Sequence, residues 1–160
     1  MVNSKRQMNK KINQISLEGK LQPQAIELEQ AILGALLIDN ESLSDAIDSL
    51  KEEYFYKIEH QKIFSAIVQL FNKTQPVDIL TVSEELKRTK QLKNIGGISY
   101  ITELTNNISS SSNTEFHARI IAEKYIKRSL ISISNNIIGE AFDDSIDIFD
   151  LLNKAEEKLF

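Results

Sequence analysis

The sequence lacks cysteine altogether, and its 160 residues include only five glycines and two prolines. Without cysteine the chain can form neither a disulfide framework nor a cysteine-based zinc site, which is compatible with a reducing cytoplasm. No apolar run approaches the ~18 residues that a membrane-spanning helix needs, since the longest extends from Ala31 to Ile38. Few helix breakers and no strand-type runs of Val and Thr favour helices with short connections, so we predict an all-α fold.

Charge is distributed unevenly along the chain. The first 20 residues carry five basic side chains and one acidic side chain, a net charge of +4. They lack the apolar core and cleavage site of a signal peptide, so we interpret residues 1–20 as a flexible basic tail. Because the whole chain has a net charge of −4, residues 21–160 carry −8. An acidic domain argues against duplex binding as the main function and favours a protein partner.

Residues 21–108 contain five segments with helical apolar spacing, which we interpret as one globular bundle. The first segment is apolar nearly all round in its second half, as expected of a helix surrounded by others. Gly34 inside that helix costs ~1 kcal/mol relative to alanine unless close helix contact compensates. The predicted segments are 23–39, 42–50, 58–71, a fourth helix capped by Asp78, and a short fifth helix that carries Ile98, Ile101 and Leu104.

Residues 109–160 are predicted to form a long helical hairpin. Ser112 and Glu115 match a capping box, and the helix that follows meets no breaker before Gly139, a length of ~39 Å. This helix has two apolar sides, which need two partners. One side carries Phe116, Ile120, Ile126, Leu130, Ile131, Ile133, Ile137 and Ile138, and the other carries Ile121 and Tyr125.

The second half of the predicted hairpin is amphipathic. Gly139 and the acidic stretch 140–150 are predicted to form the turn, and a returning helix follows with Ile148, Leu152, Ala155 and Leu159 on one stripe. The stripe stops at Leu159 and Phe160 without a capping residue, which predicts that a longer polypeptide continues beyond it.

Sequence signals for catalysis and metal binding are weak. The adjacent Gly96 and Gly97 are not followed by the Lys-Ser/Thr pair of a phosphate loop, so we expect no nucleotide hydrolysis in this chain. His60 and His117 have no second histidine at helical spacing and are interpreted as structural residues. The acidic stretch 140–150 lacks the pattern of a calcium loop and is interpreted as a solvated turn. We therefore predict no catalytic, cofactor or metal residue.

Five stretches, in this order along the chain, resemble the N-terminal domain of the DnaB family of replicative helicases. Each stretch alone is a weak signal, but five in order are specific, and the resemblance runs from about Pro23 to the last residue. The stretches are Pro23-Gln24 with Glu29 to Gly34, Phe55-Tyr56 with His60 to Phe64, Pro76 to Asp78 with Thr81-Val82, Ile95 to Tyr100, and Asn113 with Ala118 to Ile121.

This resemblance implies a function for the whole chain. In the family, hairpins of neighbouring subunits pair, and three such dimers form a collar on a hexameric ring of ATPase domains. The collar binds the C-terminal domain of DnaG-type primase. The longer parent would unwind DNA in the bacterial cytoplasm, at the nucleoid, with ATP and Mg²⁺ bound in a domain absent here, so this chain itself is expected to be no enzyme and to hold no cofactor.

The resemblance also implies site residues, each with a structural alternative. The primase-binding candidates are Glu27, Tyr100, Ile131 and Ile137. Glu27 could instead stabilise the helix dipole, Tyr100 could be a core tyrosine with its hydroxyl at the surface, and the two isoleucines could pack within the hairpin or a dimer. The candidates for oligomerisation through the hairpin are Phe116, Ile120, Tyr125, Leu130 and Ile133.

An alternative function is a helical DNA-binding protein that uses the basic tail and the basic stretch from Arg119 to Arg128. Against it, Glu115 and Glu123 precede Arg119 and Lys127 by four residues, which is the spacing of ordinary surface ion pairs on a helix.

Overall fold

The structure, a computed structural model, describes residues 20–39, 43–106 and 113–159. Within these ranges every regular element is helical, so the predicted all-α fold is confirmed. The helices are α1 (Ile26–Ile38), α2 (Leu43–Ser49), a 3₁₀ helix (Glu52–Tyr54), α3 (Ile58–Asn72), α4 (Ile79–Arg88), α5 (Gly97–Asn106), α6 (Thr114–Ala141) and α7 (Ile148–Leu159).

Helix α1 is the centre of the bundle. Ile32, Leu33 and Leu36 are completely buried, as the apolar pattern predicts for a helix surrounded by others. Helix α1 packs against α3 and α5, and α3 also packs against α4. The aromatic segment before α3 enters this core, since Phe55 is fully buried with its ring centroid 5.0 Å from that of Phe64.

The start of α4 follows from local chemistry. The Asp78 carboxylate accepts hydrogen bonds from the backbone amides of Leu80 and Thr81, at 2.9 and 2.8 Å. The Thr81 hydroxyl in turn accepts from the Asp78 amide at 3.0 Å, which completes a capping box. The predicted N-cap is therefore confirmed, and these bonds lower the pKa of Asp78, the Thr81 amide contributing most.

Two predicted helix boundaries were wrong. Helix α1 begins at Ile26 rather than near Pro23, with Ala25 as its N-cap residue. Gly139 does not end the long helix, because α6 continues to Ala141. A single internal glycine costs only ~1 kcal/mol, which neighbouring helix-forming residues offset. The predicted cap Ser112 lies outside the described residues.

The chain divides into two compact units, and the division falls inside α6. The first unit spans residues 24–125 and contains the beginning of α6, because Ala118 and Ile121 are buried in the bundle core. The ring of Tyr125 also stacks on Tyr54, with centroids 4.7 Å apart. The first turns of α6 thus belong to the bundle, whereas the boundary predicted from sequence was at residue 109.

The second unit contains the remainder of α6 and helix α7, together with the described residues 20–23. The Arg128 guanidinium donates a hydrogen bond to the Pro23 carbonyl at 2.7 Å. Helix α7 returns to α6, since Lys158 Nζ lies 3.1 Å from a carboxylate oxygen of Glu140. The Asp147 carboxylate accepts from the Phe149 amide at 2.8 Å and so caps the start of α7.

Candidate interaction site

A double-glycine turn positions Tyr100 at the start of α5. Gly96 and Gly97 have φ angles of 97° and 74°, in the region that L side chains avoid. A Cβ atom on Gly96 would lie 3.1 Å from Tyr100 Cβ, whereas one on Gly97 would meet no atom within 4 Å. Glycine at residue 96 therefore permits both the turn and the close approach of the Tyr100 side chain.

Tyr100 is half-buried, and its hydroxyl forms a hydrogen bond with the side chain of His60. The distance from Tyr100 Oη to His60 Nε2 is 2.7 Å. The two rings are nearly parallel, with an interplanar angle of 6° and centroids 6.0 Å apart. This hydrogen bond fixes the hydroxyl end of Tyr100, and the half-buried side chain remains partly accessible to solvent.

His60 connects Tyr100 to a buried carboxylate. His60 is completely buried, and its Nδ1 atom lies 2.6 Å from Glu29 Oε2. Because an ionised carboxylate only accepts hydrogen bonds, Nδ1 carries the proton and donates it. Nε2 then accepts from the Tyr100 hydroxyl in the neutral imidazole, or donates to the phenol oxygen in the charged one.

Glu29 also holds the chain segment that precedes α3. Its carboxylate accepts from the Tyr56 amide at 2.7 Å and from the Lys57 amide at 3.4 Å. The Lys57 side chain extends over Tyr100, with Nζ 5.7 Å from the ring centroid, within the range of a cation–π interaction. The four residues Glu29, Lys57, His60 and Tyr100 thus form a closed circuit of contacts, which we call the Glu29–Tyr100 circuit.

The sequence analysis found only part of this circuit. The structural interpretation of His60 agrees with its burial. The structural alternative for Tyr100 placed its hydroxyl at the surface, whereas the hydroxyl contacts the completely buried His60. The role of Glu29 was missed. The available signal was an acidic residue three and four positions before Ile32 and Leu33, which places it on the buried face of α1.

The other primase-binding candidates are not members of the circuit. Glu27 is exposed in the first turn of α1, a helix that packs against α5, the helix of Tyr100. Ile131 and Ile137 are partly exposed on α6 and belong to the second compact unit.

The oligomerisation candidates on α6 differ in exposure. Phe116 is 63% exposed and Leu130 is 46% exposed, whereas Ile120 and Ile133 are half-buried. Tyr125 is half-buried against Tyr54. Helix α7 has no buried residue, and its exposed apolar side chains are Ile148, Phe149, Leu152 and Leu159.

A second buried carboxylate provides a comparison. Glu85 on α4 accepts hydrogen bonds from Arg88 at 2.6 and 2.8 Å and from Lys73 at 3.2 Å. The Arg88 hydrogen bonds contribute most to lowering the pKa of Glu85 to about 2, although burial opposes them. The partners of Glu85 are exposed cationic side chains, whereas those of Glu29 are a buried histidine and two backbone amides. Glu85 therefore stabilises the bundle but does not position the residues of the circuit.

Within the described ranges, no group of three or more His, Asp or Glu side chains is arranged to hold a metal ion. The same ranges contain no helix that is both long and apolar enough to cross a membrane.

The fold and the site define a class: an all-α domain in which a small bundle leads into a long helix and a returning helix with exposed apolar side chains. The chain belongs to the family described as the DnaB-like helicase N terminal domain, whose model matches residues 21–123.

Curated relatives are replicative helicases. The chain is 47% identical over 142 residues to replicative DNA helicase DnaB of Rhodothermus marinus, and the aligned region covers 89% of this chain and 15% of that protein. It is 38% identical over 143 residues to replicative DNA helicase DnaC of Bacillus subtilis, covering 89% of this chain and 32% of that protein. The chain therefore corresponds to a minor part of these relatives.

Solved structures share the fold. The crystal structure of the N-terminal domain of DnaB helicase from Mycobacterium tuberculosis superposes with a TM-score of 0.81 at 29% identity, covering 87% of this chain and 98% of that one. A structure of a DnaB-like replicative helicase and its interactions with primase gives a TM-score of 0.70 at 27% identity, over 84% of this chain and 31% of that one.

Proposed function

We propose that this chain is the collar domain of a hexameric replicative DNA helicase, where it serves oligomerisation and primase docking. Membership of the helicase N-terminal domain family supports this role. ATP-driven DNA unwinding, with its Mg²⁺ and its contacts to DNA, would reside in another part of a longer protein that works at the nucleoid in the bacterial cytoplasm.

The observation that carries the oligomerisation proposal is the exposed apolar surface of α6 and α7. Phe149 is 71% exposed, Ile148 is 58% exposed and Leu152 is 53% exposed. Burying a side chain of this size contributes roughly 1.5–3 kcal/mol, so a second copy that covers several of them would be held firmly. We propose that Phe116, Ile120, Tyr125, Leu130 and Ile133 join this interface, and that three such dimers form the collar.

Light scattering across a concentration series tests this assembly. The unaltered chain should have a mass above that of a monomer, and Leu130→Asp should shift the mass towards the monomer because a charge cannot be buried unpaired at an interface. The matched control is Leu80→Asp, since Leu80 is 69% exposed on α4 of the bundle. A strict monomer at high concentration, or an equal effect of both substitutions, would contradict the proposal.

For primase docking we propose that Glu27, Tyr100, Ile131 and Ile137 contact the C-terminal domain of a DnaG-type primase. The similarity to a helicase described with its primase interactions supports this partner. Calorimetric titration of the chain with that primase domain should give saturable binding. Absence of binding at high micromolar concentration would contradict the role. For Ile131 and Ile137, weakened binding without a change in oligomer mass separates primase contact from packing of α6.

The alternative DNA-binding function is not favoured by the described contacts. Arg119 is paired with Glu123 at 3.3 Å, and Arg128 donates to the Pro23 carbonyl. The sequence analysis expected Glu115 as the partner of Arg119, but Arg119 pairs with Glu123, the glutamate that follows it by four residues. Residues 1–19 of the predicted basic tail, which was residues 1–20, lie outside the described residues.

A further inference from the structure

Glu29 and His60 form a polar pair that is buried in the bundle. Their side chains are 2% and 0% exposed. A buried pair of this kind is often no more stable than well-packed apolar residues of the same volume, because removing the charges or dipoles from water costs more than their attraction returns. Stability alone therefore does not account for it, and its partners indicate what else it does.

Each residue of the pair contacts a residue that is partly exposed at the surface. His60 fixes the Tyr100 hydroxyl, and Glu29 fixes the backbone amides of Tyr56 and Lys57. The Lys57 ammonium then lies over the ring of Tyr100. We infer that Glu29 and His60 are positioning residues, which hold Lys57 and Tyr100 as a preformed docking face for the primase domain. This inference rests on the proposed primase docking.

The chemistry of the face specifies what it takes. The Tyr100 hydroxyl is engaged in the hydrogen bond with His60, so Tyr100 offers a partner mainly the apolar carbon atoms of its ring. Lys57 places a positive charge over the face of that ring. Aromatic and cationic side chains held together with little remaining freedom are typical of the residues that dominate an interface. The matching partner segment carries a carboxylate next to an apolar side chain.

The first test measures primase-domain affinity at a temperature where circular dichroism shows every variant to be folded. Tyr100→Phe and His60→Phe should each weaken binding about fivefold to tenfold. The double variant should be no more than about twofold weaker than the worse single variant, since both changes break one link. Glu29→Ala, which removes the acceptor of the Tyr56 amide and of His60 Nδ1, should weaken binding by a similar factor, whereas Glu29→Gln, which keeps an acceptor for the Tyr56 amide, should largely restore it.

Two control variants match these changes. Glu85→Gln alters the other buried carboxylate of the bundle and should leave affinity within about twofold. Lys57→Gln should weaken binding about fivefold and flatten its salt dependence, whereas Lys62→Gln, at an exposed position on α3, should do neither.

A spectroscopic measurement separates positioning from structural support. The chain has two histidines, so the ¹⁵N signals of the His60 and His117 rings can be distinguished. Because His60 is completely buried, primase binding should shift its signals through Tyr100, and Tyr100→Phe should abolish that response. If His60→Phe fails to fold, Tyr100→Phe tests the same hydrogen bond from its other end.

The outcomes are distinct. If the unaltered chain does not bind the primase domain, both the docking role and this inference fail. If it binds, but Tyr100→Phe and a folded His60→Phe bind equally well and the His60 signals do not respond, docking survives and the positioning role is overturned. Weakened binding in both, with Glu85→Gln unaffected, establishes the positioning role.

Discussion

Replacing Gly96 by alanine should destabilise the bundle more than the same replacement at Gly97. At both positions φ is positive, 97° and 74°, which costs an alanine about 1–2 kcal/mol. Only at Gly96 would the new Cβ also lie 3.1 Å from Tyr100 Cβ. That atom is attached directly to the backbone of α5 and cannot rotate away. Relieving the overlap requires a small shift of the helix, which adds roughly 1 kcal/mol.

Tyrosine fluorescence during urea unfolding is the appropriate assay. The chain has four tyrosines and no tryptophan, and all four lie within residues 24–125, so the signal reports on the bundle unit. We expect losses of about 2–3 kcal/mol for Gly96→Ala and about 1–2 kcal/mol for Gly97→Ala in the free energy of unfolding. Equal losses would refute the reasoning, because they would mean that the close approach to Tyr100 imposes no constraint.

Three further predictions follow from the helices. Gly139→Ala should increase helicity and stabilise α6 by up to ~1 kcal/mol, since its Cβ meets no atom within 4 Å; thermal circular dichroism checks this. Glu85→Gln should cost on the order of 1 kcal/mol at pH 7, because the exposure of its cations reduces the value implied by the pKa shift. In the folded chain the pKa of Glu85 is about 2, below the usual 4.5. The stabilising contribution of the Glu85 carboxylate is therefore complete above pH 4.5 and is lost on acidification towards pH 2. Urea unfolding at pH 7 and pH 3 should show a smaller difference in free energy of unfolding between the unaltered chain and Glu85→Gln at pH 3. Asp78→Ala should cost ~1 kcal/mol, and Asp78→Asn only a fraction of that, in urea unfolding at pH 7; equal losses would exclude a capping role.

Much of the fold could be predicted because its determinants are local. Asp78 precedes an apolar pattern at helical spacing and follows a proline, so both the start of α4 and its cap could be read from a few neighbouring residues. Gly139 shows the limit of local reading. Its cost is small beside the combined preference of a 28-residue helix, so a glycine there does not end the helix.

The candidate site was less predictable because its contacts are distant in sequence. Glu29 and His60 are 31 positions apart, and His60 and Tyr100 are 40 apart. Helical periodicity could place Glu29 on the buried face of α1, but no spacing rule indicates which residue would satisfy it. The assignment of Tyr100 came from the family resemblance, and its contact with primase remains a prediction.

The Glu29–Tyr100 circuit also constrains how this sequence can change. Hydrogen bonds join Glu29, His60 and Tyr100, so an apolar replacement of any one of these three side chains leaves a buried group unsatisfied, at a cost of roughly 1–3 kcal/mol. Replacing Glu29, His60 and Tyr100 together by apolar residues of matching volume would remove the polar links between the three side chains, but it would leave the Tyr56 amide without its acceptor. A change at one of these three side chains is thus expected to require compensating changes at its partners, so the three residues should tend to be retained together.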